Sequence, residues 1–452
     1  MALAAIGFIT VILTLALMLS KKMSPTATLI TVPGIMCIIA GFAGVLDLGE
    51  KTGIKGIVGC LSSYTVSGVG SVAATTVMFM FAMIFFNSMM DAGAFDPIIN
   101  AAVKFAGTNP VKITVATVLI AVIGHLDGNG ITTTLITCSA MLPIYRKMRM
   151  KPINLILLCA LTQGLINIAP WGGPLLRVMT AYNASMGEVF NPLIAPMAVG
   201  LAAILALAVF MGKNEAKRLA ALTEEEKNAS VDNSEVNGIE TDESLKRPKL
   251  VVFNLILVVC VLAAMVSELL APCPAMMFGA IIGLLVNYPD IKLQQKLIAK
   301  YGSLCLNMAT IMFAAGVFTG VLKNSGMLEA MAAALAGAIP ASIGKLTPVL
   351  IGIVGVPASM IFTPDAWYYS ILPVLTTAVE GAGVSALSCA RASLLGQMTL
   401  GFPGSPLLAG SFLLPAMINI DFPDYQKKWF PYAWGVSLIM LVSALITGCV
   451  TL

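Results

Sequence analysis

The sequence predicts an all-α polytopic membrane protein, with about ten spans and two re-entrant hairpins in two inverted repeats. Of its 452 residues, 58% are hydrophobic and 11% are charged, whereas a soluble domain carries about 25% charged residues. Runs of about 20 apolar residues recur along the chain, as α-helical membrane spans require. Related motifs also recur in the two halves at a nearly constant separation.

Ten apolar segments are long enough to count as spans, and two of them, 153–190 and 385–420, are long and broken. Two further stretches, 111–144 and 346–376, are interrupted by HLDGNG and VPASMIFTPDAW. Each of their arms has about 14 residues, too few to cross a hydrocarbon core of about 30 Å, so we expect re-entrant hairpins. The ten segments are 2–20, 26–46, 69–90, 153–190, 192–211, 250–271, 274–289, 303–323, 385–420 and 430–450.

Basic residues predict the orientation of these spans. With both hairpins re-entrant and both termini outside, the clusters at 146–151 and 292–300 fall on the cytoplasmic side, as positive loops do in a bacterial inner membrane. The polar segment 213–249 also falls there, with nine acidic and seven basic residues. We interpret it as a partly disordered linker between the repeats 1–212 and 250–452. The net charge of +4 is modest and does not indicate a nucleic-acid partner.

The two halves carry similar motifs. NIAPWGGPLL at 167–176 matches TLGFPGSPLL at 399–408, and DAGAF at 91–95 matches NSGML at 324–328. In the predicted topology the matching spans run in opposite directions, which makes the repeat inverted. Inverted repeats with helix breaks at matching positions are typical of secondary transporters. A channel or an intramembrane enzyme needs no such duplication, so we do not expect an enzyme. The chain shows no nucleotide-binding motif, so we do not expect ATP-driven transport.

Four breaks are predicted to converge near the membrane midplane: the hairpin tips 125–134 and 357–366 and the interruptions 167–174 and 399–406. Each exposes helix N-termini, which attract anions, and glycine lets a ligand approach the backbone. The candidate substrate-binding residues at or near these breaks are Asn129, Gly130, Thr132, Thr133, Asn167, Gly172, Gly173, Arg177, Ser359, Thr363, Arg391, Thr399, Gly404 and Ser405. Arg177 has an alternative role, a structural ion pair with Glu188.

The first tip contains the chain's single histidine, His125, and an acid, Asp127. Histidine changes charge near neutral pH, so this pair is our candidate for proton coupling. Protonation would favour binding of an anion, and deprotonation at the cytoplasmic side would favour its release. Asp127 has a second possible role as a cation ligand, as has Asp365 at the other tip, because Mg²⁺ and Ca²⁺ prefer oxygen ligands. A purely structural histidine is the alternative.

HLDGNGITTTLI, followed by MLPIYRKMRMKP and NIAPWGGPLLR, resembles the CitMHS family of citrate–metal:proton symporters, within the ion transporter superfamily. The resemblance implies import of citrate complexed with a divalent cation of the Mg²⁺ or Ca²⁺ type, in symport with protons. It implies a homodimer with a scaffold domain and a mobile domain that moves as an elevator. It further implies that tip residues hold the substrate carboxylate, here Asn129, Thr132, Thr133 and Thr363. No cofactor is expected beyond the cation carried with the substrate.

A charge argument favours the metal complex. Fully ionised citrate is a trianion, and one divalent cation reduces it to a monoanion. Two arginines, His125 and helix N-termini, set against Asp127 and Asp365, suit the monoanion better, because each uncompensated buried charge costs several kcal/mol. Three alternatives remain: a proton- or sodium-coupled carrier of another di- or tricarboxylate, a cation/proton antiporter, and a non-transporting sensor. The short 213–249 segment counts against a sensor.

Overall fold

A computed structural model describes residues 2–20, 22–48, 52–222, 242–267, 269–336, 341–380 and 383–452. All regular secondary structure within these ranges is helical. The helices of the first half are α1 (Ala2–Leu19), α2 (Pro25–Phe42), α3 (Gly53–Asp91), α4 (Asp96–Ala106), α5 (Pro110–Gly124), α6 (Gly130–Lys147), α7 (Pro152–Ile166), α8 (Gly173–Tyr182), α9 (Met186–Val189) and α10 (Ile194–Ala220).

The second half repeats this order. Its helices are α11 (Val251–Val266), α12 (Pro272–Asn287), α13 (Ile291–Asn324), α14 (Met327–Ala336), α15 (Ala341–Ala358), α16 (Pro364–Ala366), α17 (Leu372–Glu380), α18 (Ala386–Leu394), α19 (Leu413–Ala416) and α20 (Phe422–Ile446). A π-helical turn, Trp367–Ile371, joins α16 to α17. Each half therefore has two helices, one long helix, a short helix, a helical hairpin, a broken helix and a final helix.

Proline and glycine set many of these boundaries. Proline opens α2, α5, α7 and α12, where its missing N–H costs nothing and its fixed φ suits a helix. Asn109 caps α5 by accepting a hydrogen bond from the Val111 N–H at 2.9 Å. After α3 the chain turns at Gly93, whose φ of +70° is a conformation that glycine adopts without strain.

Several helices depart from the predicted spans. The long helices α3 and α13 begin well before the predicted segments 69–90 and 303–323, because their polar first turns are helical but not apolar. The α10 helix continues to Ala220, inside the predicted linker 213–249, of which residues 223–241 lie outside the described residues. In the predicted broken segment 385–420, the part after the break forms short turns instead of a second long helix.

By length and composition, five of the described helical segments can cross a membrane. A sixth qualifies if the two arms of the bent α13, 291–303 and 308–324, count as one span. The count of about ten spans and the re-entrant placement of the two hairpins stay predictions, as does the inverted relation of the halves.

The helices pack in two groups. In the first group, α3 packs along α13, with α2 and α12 beside them. The contact is close because Gly68 faces Gly316 and Gly320, and a Cβ atom on Gly68 would clash with the Gly316 carbonyl oxygen. In the second group, α5, α6 and α7 pack together with α10 and α20, and α15 packs against α18 and α20. The cavities described below lie between these two groups.

Candidate functional site

The first hairpin tip is residues 125–129, between α5 and α6, and its own side chains fold it. Asp127 Oδ1 accepts a hydrogen bond from the Asn129 N–H at 2.8 Å. Asn129 Oδ1 accepts one from the Ile131 N–H at 2.9 Å and so caps α6. Gly128 lies between them with a φ of +71°. The tip is therefore a fixed turn that directs the N-terminus of α6 inwards.

His125 joins the two arms of this hairpin. Its Nδ1 lies 2.7 Å from Thr133 Oγ1, and the Thr133 hydroxyl has a backbone acceptor in Asn129 O at 2.8 Å. Because the hydroxyl has one hydrogen, this network assigns the imidazole proton to Nδ1, which donates to Thr133. The Nε2 atom then carries the lone pair, and it is buried without a hydrogen bond among the described residues.

Hydrogen bonds connect the first tip to both helix breaks. Trp171, in the break between α7 and α8, donates its indole N–H to Leu126 O at 2.6 Å. Asn167, at the end of α7, donates its amide to Met398 O at 2.8 Å. Met398 lies in the second break, after α18. The first tip, the first break and the second break therefore form one connected unit.

The second tip, between α15 and α16, joins the same unit through Ser359. The Ser359 hydroxyl oxygen accepts a hydrogen bond from the Met398 N–H at 2.8 Å. The hydroxyl of Ser405 donates to the Ser359 carbonyl oxygen at 2.6 Å. The structure thus brings all four breaks together, although they lie up to about 280 residues apart in the sequence.

A cavity of about 340 Å³ opens beside the first tip, and we call it the tip cavity. The hairpin tip and the two breaks form one wall, and α3 and α13 form the other. Its lining residues are Phe79, Met83, Asp127, Gly128, Asn129, Gly130, Ile131, Asn167, Trp171, Gly173, Pro174, Arg177, Met308, Pro364, Met398, Phe402, Leu408 and Gly410.

Three helical segments begin at the tip cavity. Gly130 starts α6, Gly173 starts α8, and Pro364 starts the helical run that continues through α17. No side chain caps α8, and Gly172 precedes it. Helix N-termini carry a partial positive charge and present N–H groups. The cavity is therefore built to accept negative charge.

Two ionisable side chains line this cavity. Asp127 Oδ2 is buried and has no hydrogen bond among the described residues. Arg177 donates from Nε to Asp365 Oδ1 at 2.8 Å, and both side chains are less than 10% exposed. The Nη1 atom of Arg177 lies on the other side, 2.9 Å from where a Cβ atom on Gly173 would be. Arg177 therefore holds Asp365 with one edge and presents the other towards the N-terminus of α8.

Six of the predicted site residues reach the cavity: Asp127, Asn129, Gly130, Asn167, Gly173 and Arg177. Others build its walls instead. Thr363 caps α16 by accepting from the Ala366 N–H at 3.3 Å. Gly404 gives Trp429 the space that a Cβ atom would fill, and Gly172 does the same for Asn167 O. The predicted residues outside the lining are His125, Thr132, Thr133, Gly172, Ser359, Thr363, Asp365, Arg391, Thr399, Gly404 and Ser405.

Arg391, which the sequence predicts as a substrate-binding residue, is not among the residues that line the tip cavity. Its guanidinium donates to the Glu188 carbonyl oxygen at 2.7 and 3.0 Å and to Cys449 O at 3.1 Å, away from the tip cavity. Backbone carbonyls satisfy this arginine, as they do for many charged residues in membrane helices. The alternative ion pair between Arg177 and Glu188 is also absent, because the Glu188 carboxylate bonds to Ser185 and Arg177 pairs with Asp365.

Sequence reasoning missed several residues of the site. Phe79, Met83 and Met308 line the cavity from the long helices, and apolar residues in apolar helices give no signal. Gln163 was also missed; its amide donates to Gly130 O at 3.2 Å and to Thr134 Oγ1 at 2.8 Å. A lone glutamine in the apolar run LCALTQGLI was a usable signal, because a buried amide needs partners.

Comparison with known proteins identifies the family. The sequence model of the citrate transporter family, CitMHS, matches residues 3–396. The chain is 37% identical over 450 residues to a citrate transporter of Bacillus subtilis (strain 168), covering 99% of this chain and 100% of that protein. It is 33% identical over 450 residues to a Mg(2+)/citrate complex secondary transporter of the same organism, covering 100% and 99%.

Two solved structures share the fold. The YdaH transporter of Alcanivorax borkumensis superposes with a TM-score of 0.54 at 14% identity, covering 94% of this chain and 98% of that one. MtrF of Neisseria gonorrhoeae superposes with a TM-score of 0.57 at 12% identity, covering 94% of each chain. Both are membrane transporters, so the all-helical transporter fold predicted from the sequence is confirmed. The family model and the full-length relatives together show that the chain belongs to the citrate transporter family and is a multi-pass membrane protein.

Proposed function

We propose that this protein imports citrate as a complex with a divalent cation, in symport with protons, and that the tip cavity binds the complex. The observation that carries the proposal is the meeting of three helix N-termini and the free edge of Arg177 at one cavity between the two helix groups. Helix N-termini and guanidinium groups both recognise carboxylates. A relative of this chain is named as a transporter of the Mg(2+)/citrate complex.

The charges around the cavity favour a ligand with little net charge. Arg391 lies elsewhere, and Asp365 neutralises Arg177. Asp127 then remains, opposed by three helix N-termini that each carry roughly half a positive charge. A trianion would leave most of its charge uncompensated in this cavity, at a cost of several kcal/mol per ion. The monoanion formed by citrate and one divalent cation suits the cavity better.

Asp127 is the better candidate for the coupled proton. Asp127 lines the cavity, and its buried Oδ2 has no hydrogen-bond partner in the described part of the chain, so a proton there would remove a negative charge beside the bound anion. His125 does not line the cavity, and its Nδ1 is used by Thr133. We propose that Asp127 exchanges the proton and that His125 positions the tip through Thr133.

The divalent cation is part of the cargo in this proposal. Among the described residues, no group of three or more His, Cys, Asp or Glu side chains could hold a metal. Of the two predicted metal ligands, Asp127 lines the cavity, whereas Asp365 is not among the lining residues and bonds Arg177 through Oδ1. We propose that a cation held by the citrate carboxylates contacts Asp127 when that side chain is ionised, since Mg²⁺ and Ca²⁺ prefer oxygen ligands.

The site's position between two helix groups supports an elevator movement of one group along the other. We propose that α3 and α13 belong to a fixed scaffold and that the hairpins and broken helices move with the cargo. A homodimer in the bacterial cytoplasmic membrane, with both termini outside, completes the proposal.

Uptake of radiolabelled citrate into proteoliposomes tests this function, with a panel of divalent cations and an inside-alkaline pH gradient. We expect uptake that requires a divalent cation, stops on addition of a chelator and rises with the gradient. Uptake that survives the chelator would make the protein a carrier of free carboxylates. Cation-dependent proton flux without citrate flux would make it an antiporter.

A further inference from the structure

A second cavity, of about 430 Å³, lies between the same two helix groups. On one side it is lined by Ser67 and Ser71 of α3 and by Thr319 and Lys323 of α13. On the other side it is lined by residues of α8 and α17, among them Thr376 and Glu380. Hydroxyl and charged groups of this kind suit a hydrated, polar solute. We call this space the vestibule.

Helix α8 runs from the tip cavity to the vestibule. Gly173, Pro174 and Arg177, in its first half, line the tip cavity. Thr180, one turn further on, and Asn183, at its C-cap, line the vestibule. Residues three apart lie on one face of a helix, so Arg177 stands at the point on this face where one cavity ends and the other begins.

The facing segment 364–380 shows the same order. Pro364 lines the tip cavity, whereas Pro373 and Thr376 line the vestibule. Asp365 lies between them in the sequence and holds Arg177. A third element, α13, repeats the order, with Met308 at the tip cavity and Thr319 at the vestibule. Three separate elements therefore border both cavities and place the ion pair in the layer between them.

This layer contains more polar groups than a sealed apolar wall needs. The hydroxyls of Thr180, Tyr369 and Ser370 are buried, and in the described part of the chain none has a hydrogen bond of normal length, although Thr180 and Tyr369 lie next to each other. A buried hydroxyl without a good hydrogen bond is costly, at about 1–3 kcal/mol when fully unsatisfied, so this polar group of residues requires a reason. A passage that fills with water or ligand in another state would satisfy them.

We infer that the vestibule is the route between the tip cavity and one face of the membrane, and that the Arg177–Asp365 ion pair closes it. The geometry supplies the trigger. Arg177 bonds Asp365 through Nε, while Nη1 faces the N-terminus of α8. A carboxylate bound at that N-terminus takes the free edge of the same guanidinium, so Asp365 then shares the positive charge of Arg177 with a second anion. Binding of the anionic cargo therefore weakens the pair and favours the open barrier. Only this trigger depends on the proposed citrate site; the barrier itself does not.

Thiol labelling from each face of the membrane tests the barrier. Ser71→Cys places a reporter in the vestibule and Met308→Cys places one in the tip cavity, with labelling of the unsubstituted chain as background for its nine native cysteines. The probe is a negatively charged, membrane-impermeant methanethiosulfonate applied to oriented proteoliposomes. With the ion pair intact, we expect the reagent to label the Ser71→Cys variant fast from one face of the membrane. From that same face it should label the Met308→Cys variant slowly.

Asp365→Asn is then added to the Met308→Cys variant. Because a minor open state is commonly about 0.1–10% populated, opening the barrier raises the labelling rate from the vestibule face by about tenfold or more. The rate from the other face stays the same. Glu380→Gln is the matched control, because it removes an equal charge from the vestibule lining without touching the pair.

An unchanged rate in the Asp365→Asn variant overturns the inference, as does an equal rise with Glu380→Gln. The inference is also overturned if Asp365→Asn raises labelling of the Met308→Cys variant from one membrane face while the Ser71→Cys variant reacts only from the opposite face. If Asp365→Asn fails to fold with Arg177 unpaired, the double substitution Arg177→Gln and Asp365→Asn leaves no unpaired charge and carries the same expectation. Labelling needs no citrate. If labelling follows the expectation but citrate is not taken up, the proposed cargo is wrong and the ion-pair barrier is still supported.

Discussion

Asn167 donates its side-chain amide to the backbone carbonyl of Met398 at 2.8 Å, across 231 residues of sequence. The bond joins the two helix breaks that the sequence motifs NIAPWGGPLL and TLGFPGSPLL predict to be equivalent. A carbonyl at a helix break lacks its usual intrahelical donor, and the amide of Asn167 supplies the missing hydrogen-bond donor. This hydrogen bond therefore connects the two halves of the chain at their helix breaks.

Replacing Asn167 with aspartate should break this connection. Asp has nearly the same shape but cannot donate, so the Met398 carbonyl loses its partner and faces a negative charge. We expect a loss of about 1–3 kcal/mol in the free energy of unfolding and weaker citrate uptake. Thermal unfolding in detergent measures the first effect. Asn100→Asp, which adds the same charge on the exposed face of α4, should leave the melting temperature nearly unchanged.

Asp127 and His125 can be separated by paired substitutions. Asp127→Asn keeps the oxygen that accepts from the Asn129 N–H but cannot exchange a proton. Each coupled proton contributes about tenfold accumulation per unit of pH difference, or about 1.4 kcal/mol. We therefore expect this variant to exchange citrate without accumulating it along a pH gradient. Citrate counterflow and gradient-driven uptake, measured on the same proteoliposomes, distinguish the two behaviours.

The companion variant is His125→Asn, whose amide can replace Nδ1 as the donor to Thr133. We expect gradient-driven accumulation to persist in this variant at a reduced rate. Loss of accumulation in His125→Asn, together with its persistence in Asp127→Asn, would assign the proton to the histidine instead.

The glycine contact between α3 and α13 predicts a difference between two neighbouring positions. A Cβ atom on Gly68 would clash with the Gly316 backbone, whereas a Cβ atom on Gly70 meets nothing within 4 Å. Gly68→Ala should therefore cost about 1–3 kcal/mol through overpacking. Gly70→Ala should be neutral or slightly stabilising, because alanine is the better helix former. Equal unfolding temperatures for the two variants would contradict the packing described here.

A residue of the site could be predicted from the sequence when it interrupts the apolar pattern of a membrane span. Asp127, Asn129 and Gly173 were found because polar residues and glycine interrupt apolar runs. Inside a membrane, the polar and backbone groups at such an interruption need hydrogen-bond partners from the protein or from a water-filled cavity. Met308 and Phe79 were not found because an apolar side chain in an apolar helix looks the same whether it faces lipid, a helix or a cavity. Only the packing of α3 against α13 distinguishes these surroundings.

Arg391 illustrates a different case. A charge inside a predicted span indicates that the residue has partners, but it does not say which ones. Backbone carbonyls at the ends of neighbouring segments satisfied Arg391, whereas Arg177 found a carboxylate in the other half of the chain. Its partner, Asp365, lies 188 residues away, which is a relationship that no local pattern predicts.

The two arginines therefore make a matched pair for a last prediction. Arg177→Lys keeps the charge but has one ammonium group, which cannot hold Asp365 and a ligand carboxylate from two separate edges. We expect the apparent affinity for citrate to fall by roughly tenfold or more, as for the loss of one charge-assisted hydrogen bond of about 1.5–3 kcal/mol. Arg391→Lys makes the same chemical change away from the cavity and should leave the apparent affinity unaltered. Initial uptake rates across a range of citrate concentrations, normalised to the amount of folded protein, give both values.

If the two variants lose affinity equally, Arg177 acts through the fold and not through the ligand. A loss confined to Arg177→Lys would support a direct carboxylate contact, because only Arg177 lines the cavity.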